Sequence, residues 1–308
     1  MSRLHKILFQ TTIPTTEDDW SIARFSRLGA LLRDARDDSG NALYDVTMRD
    51  RDPLGRADSL LSTIDDSEFD QLWLFAVDTG DGLTEEDCQA ISRFRQNGGG
   101  LLVTRDHMDL GSSVCTLGGV GKAHYFHSKQ QDPDPDRRTR DDPYTIAISW
   151  PNFHSGANGD FQEIHVAGTP HPVLANANSP TGSIRFLPSH PHEGDVCAPD
   201  GEDARVILQG RSKVTGRDFN IAVAFEPGEH GGPAIAESTF HHFADYNWHP
   251  ASGAPSFVSE PPGDGLGRVP EALADTHLYA LNIAKWLSQA GQTASRERHF
   301  ESQASLAS

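Results

Sequence analysis

The chain has 308 residues and a formal charge of −18, and these bulk properties exclude several classes of protein. A surface this acidic repels phosphate backbones and anionic lipid, which argues against nucleic acid and membranes as partners. No apolar run reaches the ~18 residues of a membrane-spanning helix. The short apolar start without a cleavage site, and three cysteines without CxxC spacing, predict a cytoplasmic protein.

The first part of the chain alternates between buried strands and helices. Strands are predicted at 6–12, 43–49, 70–77 and 101–104, and helices run through about 20–35 and from 83 to the glycines at 98–100. Such alternation predicts an α/β fold with a mostly parallel sheet, whose ligands bind beyond the carboxyl ends of the strands. The residues at that rim are Thr11, Thr12, Asp78, Thr79, Asp106 and His107.

The second part is less regular and carries long polar segments. Insertions are predicted at about 129–160 and 249–270. Short strands are predicted near 144–149, 162–167, 183–187, 204–209, 219–226 and 234–240, and a final amphipathic helix ends near 287. Residues 1–288 are therefore expected to form one domain, and the polar tail 289–308 is expected to be disordered. The amphipathic last helix is compatible with a homodimer.

Several motifs in this order resemble the ThuA-like (trehalose utilisation) family. A helix opens with LTEED at Leu83, the glycines 98–100 and a strand follow, and then come His107, a Gly-Gly at 118–119, and His124 and His127. His171-Pro172 looks like the family's His-Pro element, and the segment 233–242 (PAIAESTFHH) looks like its late strand. The resemblance implies a flavodoxin-like three-layer sandwich of the class I glutamine amidotransferase-like superfamily, and a role in sugar metabolism.

The residue that a glutaminase of this superfamily would need is missing. In the amidotransferases that the chain resembles, a nucleophilic Cys lies directly after the strand that follows the glycines. That position here holds Arg105-Asp106-His107-Met108, and Cys115 lies too far along the chain to replace the nucleophile. A Cys–His–Glu glutaminase is therefore not expected.

Histidines provide the positive signal. Of 15 histidines only His5 precedes His107, and most of the others fall at predicted strand ends or in the adjoining loops. The candidate catalytic residues are Asp106, His107, His241 and His242, and the candidate ligands of a zinc-like divalent metal ion are His107, His190, His192, Glu193 and His242. The candidate substrate-binding residues are Thr12, Asp78, His124, Tyr125, His127 and Trp248.

The sequence leaves the roles of these residues open. His171 is more readily explained as a loop anchor whose imidazole is hydrogen-bonded to the backbone, and the prolines around His190 and His192 favour a loop over a strand. Either His241 or His242 can face the site. The first hypothesis is an enzyme that acts on a carbohydrate or a similar polyhydroxylated small molecule through acid–base or metal-assisted chemistry. The alternatives are a non-catalytic binding or assembly protein, and a metal-dependent hydrolase of a non-sugar substrate.

Overall fold

The computed structural model of the protein describes residues 3–142 and 144–289. The predicted polar tail lies outside these residues apart from Gln289. The strands are β1 (His5–Thr11), β2 (Tyr44–Arg49), β3 (Gln71–Phe75), β4 (Gly100–Thr104), β5 (His124–Tyr125), β6 (Phe161–Glu163), β7 (His165–Val166), β8 (Phe186–Pro188), β9 (Asp195–Val196), β10 (Ala204–Arg211), β11 (Asp218–Phe225) and β12 (Ala234–Glu237). The α-helices are α1 (Ser26–Arg33), α2 (Glu85–Gln96), α3 (Asp245–Trp248), α4 (Gly265–Arg268) and α5 (Pro270–Leu287).

One large sheet organises the molecule and confirms the predicted mixed α/β class with a mostly parallel sheet. It has eight strands in the order β2-β1-β3-β4-β12-β11-β10-β7. The strands from β2 to β12 in this order pair in parallel, and the last three join antiparallel. Strands β4 and β12 are distant in sequence, but they pair in parallel, with Leu102 opposite Ile235. The carboxyl ends of the two strands therefore lie side by side at the same edge of the sheet.

The apolar runs in the strands supply a core on both faces of the sheet. Side chains of a strand alternate between faces. Phe9 and Trp73 belong to one core cluster, together with α1 and α5, and the neighbouring Leu8 and Leu72 belong to another, together with α2. Each of these four side chains is fully buried, which stabilises the fold by roughly 1.5–3 kcal/mol per large apolar side chain. This double coverage explains why the strands of the parallel part read as continuous apolar runs.

The short strands of the second half are only partly as predicted. The segment 144–149 forms turns, and Tyr144 and Ile146 are 84% and 76% exposed, so their alternation reflects no buried face. The strand expected at 234–240 stops at Glu237, because Thr239 accepts a hydrogen bond from the His241 N–H and caps a 3-10 turn at Phe240–His242. The predicted loop at 249–270 contains the short helix α4.

Among the helices within residues 3–142 and 144–289, none combines the length and the apolar character that crossing a bilayer requires.

The carboxylate of Asp58 organises the segment that leads from β2 to β3. It accepts hydrogen bonds from Arg49 Nη1 at 2.7 Å and from the backbone N–H groups of Asp52 at 2.7 Å and of Leu60 and Leu61 at 2.9 Å. Burial raises the pKa of Asp58, but the hydrogen bonds from Arg49 and from the backbone outweigh burial and lower the pKa to about 2. The ionised carboxylate is therefore part of the folded structure.

This pKa predicts how the stability of the protein depends on acid. Because the pKa is lower in the folded chain than in the unfolded chain, the stabilisation by Asp58 is complete at neutral pH and is lost as the pH falls towards 2. We expect D58N to lower the free energy of unfolding by roughly 2 kcal/mol at pH 6, and the difference from wild type to shrink by about 1 kcal/mol at pH 3. Urea denaturation at both pH values measures this difference.

The control is D81N, which removes a carboxylate from an exposed position. It should leave the free energy of unfolding within about 0.5 kcal/mol of wild type at pH 6. A D58N difference that stays the same at both pH values would contradict the predicted role of the ionised Asp58.

Candidate functional site

The ends of β4 and β12 bring two predicted site residues together. Asp106 follows β4, and His241 lies in the 3-10 turn that follows β12. The Phe240 N–H donates to the Arg105 carbonyl at 2.9 Å, and the Thr239 hydroxyl donates to Asp106 Oδ1 at 3.1 Å. The two strand ends are thus joined through both backbone and side chain, and His241 is held beside Asp106.

Two imidazoles face the Asp106 carboxylate. His190 Nε2 lies 3.3 Å from Asp106 Oδ1, and His241 Nε2 lies 3.7 Å from Asp106 Oδ2. The two rings are stacked, with centroids 3.6 Å apart and planes inclined by 11°. The three side chains are nearly inaccessible to solvent, with exposed fractions of 2% to 4%. We call Asp106, His190 and His241 the inner triad.

Two asparagines fix which ring nitrogen of each histidine faces the carboxylate. His190 Nδ1 lies 2.9 Å from Asn158 Oδ1, and His241 Nδ1 lies 2.8 Å from Asn247 Oδ1. Asn247 Nδ2 donates to Asn158 Oδ1 at 2.8 Å and to the Ser189 carbonyl at 3.1 Å, which establishes the orientation of both amides. Both amide oxygens therefore accept, so each Nδ1 carries a proton and each ring turns its Nε2 towards Asp106.

The electrostatics of the inner triad favour a cation. Burial opposes ionisation of Asp106, but the imidazole of His107, whose Nδ1 lies 3.0 Å from Oδ2, holds the pKa of that carboxyl group well below the usual value. Burial, with a further contribution from His241, holds the pKa of His190 well below its usual value, so that ring is neutral. Its Nε2 makes no hydrogen bond with any residue that the structure describes. Two imidazole nitrogens and one carboxylate are a ligand set that zinc-like divalent ions prefer.

Two further imidazoles border the site, and one of them, His107, reaches solvent. His107 is 18% exposed, and its Nδ1 lies 3.0 Å from Asp106 Oδ2. His192 Nε2 lies 2.7 Å from Asp142 Oδ2 and 4.0 Å from Glu260 Oε1. The His107 and His192 ring centroids are 5.2 Å apart. Two more imidazoles and two more carboxylates therefore border the site, and of these His107 and Glu260 are partly exposed whereas His192 and Asp142 are buried.

His242 lies in a separate cluster with Glu193 and Glu237. Its Nδ1 is 3.1 Å from Glu237 Oε2 and its Nε2 is 3.4 Å from Glu193 Oε2, and all three side chains are fully buried. Burial lowers the pKa of His242, but the charges of Glu193 and Glu237 outweigh burial and raise the pKa to about 10. Tyr279 donates a hydrogen bond to Glu237. His242 is thus a buried cation, and the structure places it and Glu193 apart from the inner triad.

Three predicted substrate-binding residues, Thr12, Asp78 and Trp248, make buried hydrogen bonds within the fold. Thr12 Oγ1 accepts from the N–H groups of Val77 and Asp78 at 2.9 and 3.2 Å, which ties the end of β1 to that of β3. The Asp78 carboxylate accepts from the hydroxyl of Ser113 at 2.8 Å. Trp248 Nε1 donates to the His242 carbonyl at 2.8 Å. All three side chains are buried, so these hydrogen bonds account for their polar groups.

The other three predicted substrate-binding residues lie on the segment from β5 onward. His124 is fully buried, and burial together with the charge of Arg105 lowers its pKa to about 3. Tyr125 is half-buried on β5. The His127 N–H donates to the Met108 carbonyl at 3.3 Å, and its Nδ1 lies 3.2 Å from Ser149 Oγ, which places His127 next to the turn that carries His107.

Sequence reasoning missed four residues of the site, which are Asn158, Asn247, Asp142 and Glu260. Asn158 lies in an irregular loop and Asp142 in a polar run, and neither position carries a local signal. Asn247 does carry one, because a single amide between Tyr246 and Trp248 needs hydrogen-bond partners if the aromatic run is buried.

Comparisons with known proteins bear on the fold. No family model matches the chain, and no curated protein sequence matches it significantly. The mmIFT52 N-terminal domain aligns with a TM-score of 0.51 at 10% identity, covering 92% of this chain and 97% of that domain. At this identity the likeness concerns the fold alone.

Two further solved structures align less well. The glutaminase domain of Trypanosoma brucei CTPS with bound acivicin gives a TM-score of 0.43 at 13% identity, covering 91% of this chain and 94% of that domain. Agd3, described as a novel carbohydrate deacetylase, gives 0.38 at 12% identity, covering 76% of this chain and 29% of Agd3. The structural neighbours thus include a glutamine amidotransferase domain, and neither alignment carries an argument about function.

The buried cation at His242 predicts a large effect on stability. H242Q leaves the Glu193 and Glu237 carboxylates facing a neutral group, and we expect the free energy of unfolding to fall by roughly 3–5 kcal/mol. The double variant E193Q/H242Q removes one of the two uncompensated charges and should regain part of this loss. Urea denaturation at pH 7 measures all three proteins. If H242Q were within about 1 kcal/mol of wild type, the imidazolium would not be essential.

Proposed function

We propose that the protein is a hydrolase that depends on a divalent metal ion bound by Asp106, His190 and His241. The observation that carries this proposal is the pair of amide contacts described above. Asn158 and Asn247 hold the protons on the Nδ1 atoms, so that both Nε2 atoms converge on one carboxylate. Metal-binding histidines commonly make this kind of outer contact, which fixes the tautomer and the direction of the ring.

The reaction class follows from the ligand set. Three protein ligands leave positions open, and an ion held in this way supplies an activated water and polarises a carbonyl group. With one ion bound, His107 and His192 would be the side chains available for proton transfer, and each faces a carboxylate that orients its ring, Asp106 and Asp142 respectively. The 2% to 4% exposure of the three proposed ligands limits access of bulk water. These features support hydrolysis of an ester or amide bond.

The substrate class and the family are proposals drawn from the sequence. The ThuA-like resemblance supports a carbohydrate or another polyhydroxylated small molecule as the substrate, and a non-sugar substrate of the same hydrolase is the alternative. The ThuA-like family, the flavodoxin-like layers, the cytoplasmic location and the homodimer also stay predictions. The Cys nucleophile that a glutaminase would need after β4 is missing, and the proposed ligands suit a metal ion. Both features favour metal-assisted chemistry over glutaminase chemistry.

Metal titration tests the proposal directly. Untagged protein is stripped with a chelator and titrated with Zn²⁺ by calorimetry. We expect tight binding at the inner triad, and we expect D106N, H190Q and H241Q each to weaken that binding at least about 100-fold. Zn²⁺-dependent release of acetate from acetylated sugars and from p-nitrophenyl acetate should be lost in the same variants.

The matched control is H230Q, because the His230 side chain is 42% exposed and its Nε2 faces the exposed Glu229 at 3.6 Å. This variant should bind Zn²⁺ and release acetate like wild type. Stripped wild-type protein that takes up no Zn²⁺ would overturn the proposal. Binding without hydrolysis of any ester or amide would leave a metal-binding assembly protein as the better description.

The amide contacts give an independent prediction. N247L keeps all three proposed ligands but removes the acceptor that holds the proton on His241 Nδ1. We expect the Zn²⁺ affinity to fall by about 10–100-fold while the number of ions bound stays the same. Calorimetry measures both quantities, and circular dichroism checks that the variant folds. An unchanged affinity in folded N247L would show that the amide does not orient the ligand.

A further inference from the structure

The histidines of the site form two overlapping groups. The possible ligand atoms of Asp106, His190 and His241 all lie within 4.8 Å of one another, and so do those of His107, His190 and His192. His190 is common to both groups, but its Nδ1 is engaged with Asn158, so only its Nε2 is available. One nitrogen lone pair cannot bind two ions. If an ion occupies the inner triad, His107 and His192 therefore need a ligand other than His190 to bind a second ion.

That ligand is present in Asp106 itself. Its Oδ1 is the oxygen nearest to His190, at 3.3 Å, and its Oδ2 lies 3.0 Å from His107 Nδ1. Oδ1 therefore lies beside His190, whereas Oδ2 lies between His107 and His241, whose Nε2 is 3.7 Å away. A carboxylate placed in this way can bridge two ions about 3.5–4 Å apart.

We propose that His107, His192, Asp142 and Oδ2 of Asp106 bind a second divalent cation, so that the metal centre is dinuclear with Asp106 as the bridge. We call these four groups the outer position. The proposal rests on the proposed function, because the first ion occupies the inner triad. It assigns the mouth of the site to metal binding as well as to proton transfer.

The charges around the outer position support a cation. Asp142 lies 2.7 Å from His192 Nε2, and Glu260 lies 4.0 Å from the same atom. Together with Asp106, three carboxylates surround four imidazoles. One divalent ion leaves this set with a net negative charge when the imidazoles are neutral, and a second ion offsets it. The hydrogen bond between His192 Nε2 and Asp142 depends on a proton that a bound ion can replace. His107 Nδ1 has no hydrogen bond within the described part of the chain.

A second ion changes what the site can do. In two-metal hydrolases one ion holds the attacking oxygen and the other stabilises the leaving oxygen. The outer position lies on the solvent side, where His107 is exposed, so it would meet the substrate first. The dinuclear centre would therefore act on substrates that can place two oxygens between the ions, such as a carboxylic ester and its neighbouring hydroxyl.

Stoichiometry and metal–metal proximity test this inference. Stripped protein is titrated with Zn²⁺ by calorimetry, and a sample loaded with Mn²⁺ is examined by electron paramagnetic resonance. We expect two Zn²⁺ per chain and a spin-coupled Mn²⁺ pair in wild type. H192Q should bind one Zn²⁺ with the affinity of the first site, and its Mn²⁺ signal should be that of an isolated ion. H230Q, as the exposed control, should match wild type.

D142N provides a second variant in case H192Q does not fold, and it should also lose the outer ion. One Zn²⁺ per chain in wild type and in both variants would overturn the dinuclear centre and leave the single-ion hydrolase standing. Two Zn²⁺ without spin coupling of the Mn²⁺ pair would place the second ion elsewhere and also overturn it. No bound Zn²⁺ would overturn both proposals.

Discussion

The arrangement of the site depends on the buried contact of His242 with Glu193 and Glu237. Leaving either carboxylate without a cation in the protein interior would cost several kcal/mol, so these three side chains must stay together. Glu237 ends β12, Glu193 belongs to the loop that carries His190 and His192, and Tyr279 of α5 also binds Glu237. One ionic cluster therefore fixes the strand, the loop and the last helix relative to one another.

The same cluster requires β12 to end where it does. Adjacent residues of a continuing strand would point to opposite faces of the sheet, and only one of His241 and His242 could then lie above the strand ends. The 3-10 turn at Phe240–His242 instead directs His241 to Asp106 and His242 to Glu193. Thr239 enables this change of direction, since its hydroxyl caps the turn and also donates to Asp106.

The sequence predicted the features that depend on local pattern. Apolar runs located β1, β3 and β4, and the rule that ligands bind beyond strand ends directed attention to Asp106 and His107. The sequence could not decide which of His241 and His242 faces the site, because their environments are set by Glu193 and Asp106, which are remote in sequence. The false strand at 144–149 had the alternation of Tyr144 and Ile146 but no neighbouring strand to pair with. Asn158 and Asn247 were missed since an orienting amide has no spacing rule.

The overall charge bears on which bond such a site would cleave. A formal charge of −18 raises the local concentration of divalent cations around the protein and repels anions. The partly exposed carboxylate of Glu260 and the buried carboxylate of Asp142 lie beside His192, so a phosphorylated substrate would meet repulsion before it reached an ion. A neutral acyl ester or amide meets no such barrier. The electrostatic field therefore favours acyl transfer to water over phosphoryl transfer, on the same ligand set that would serve either reaction.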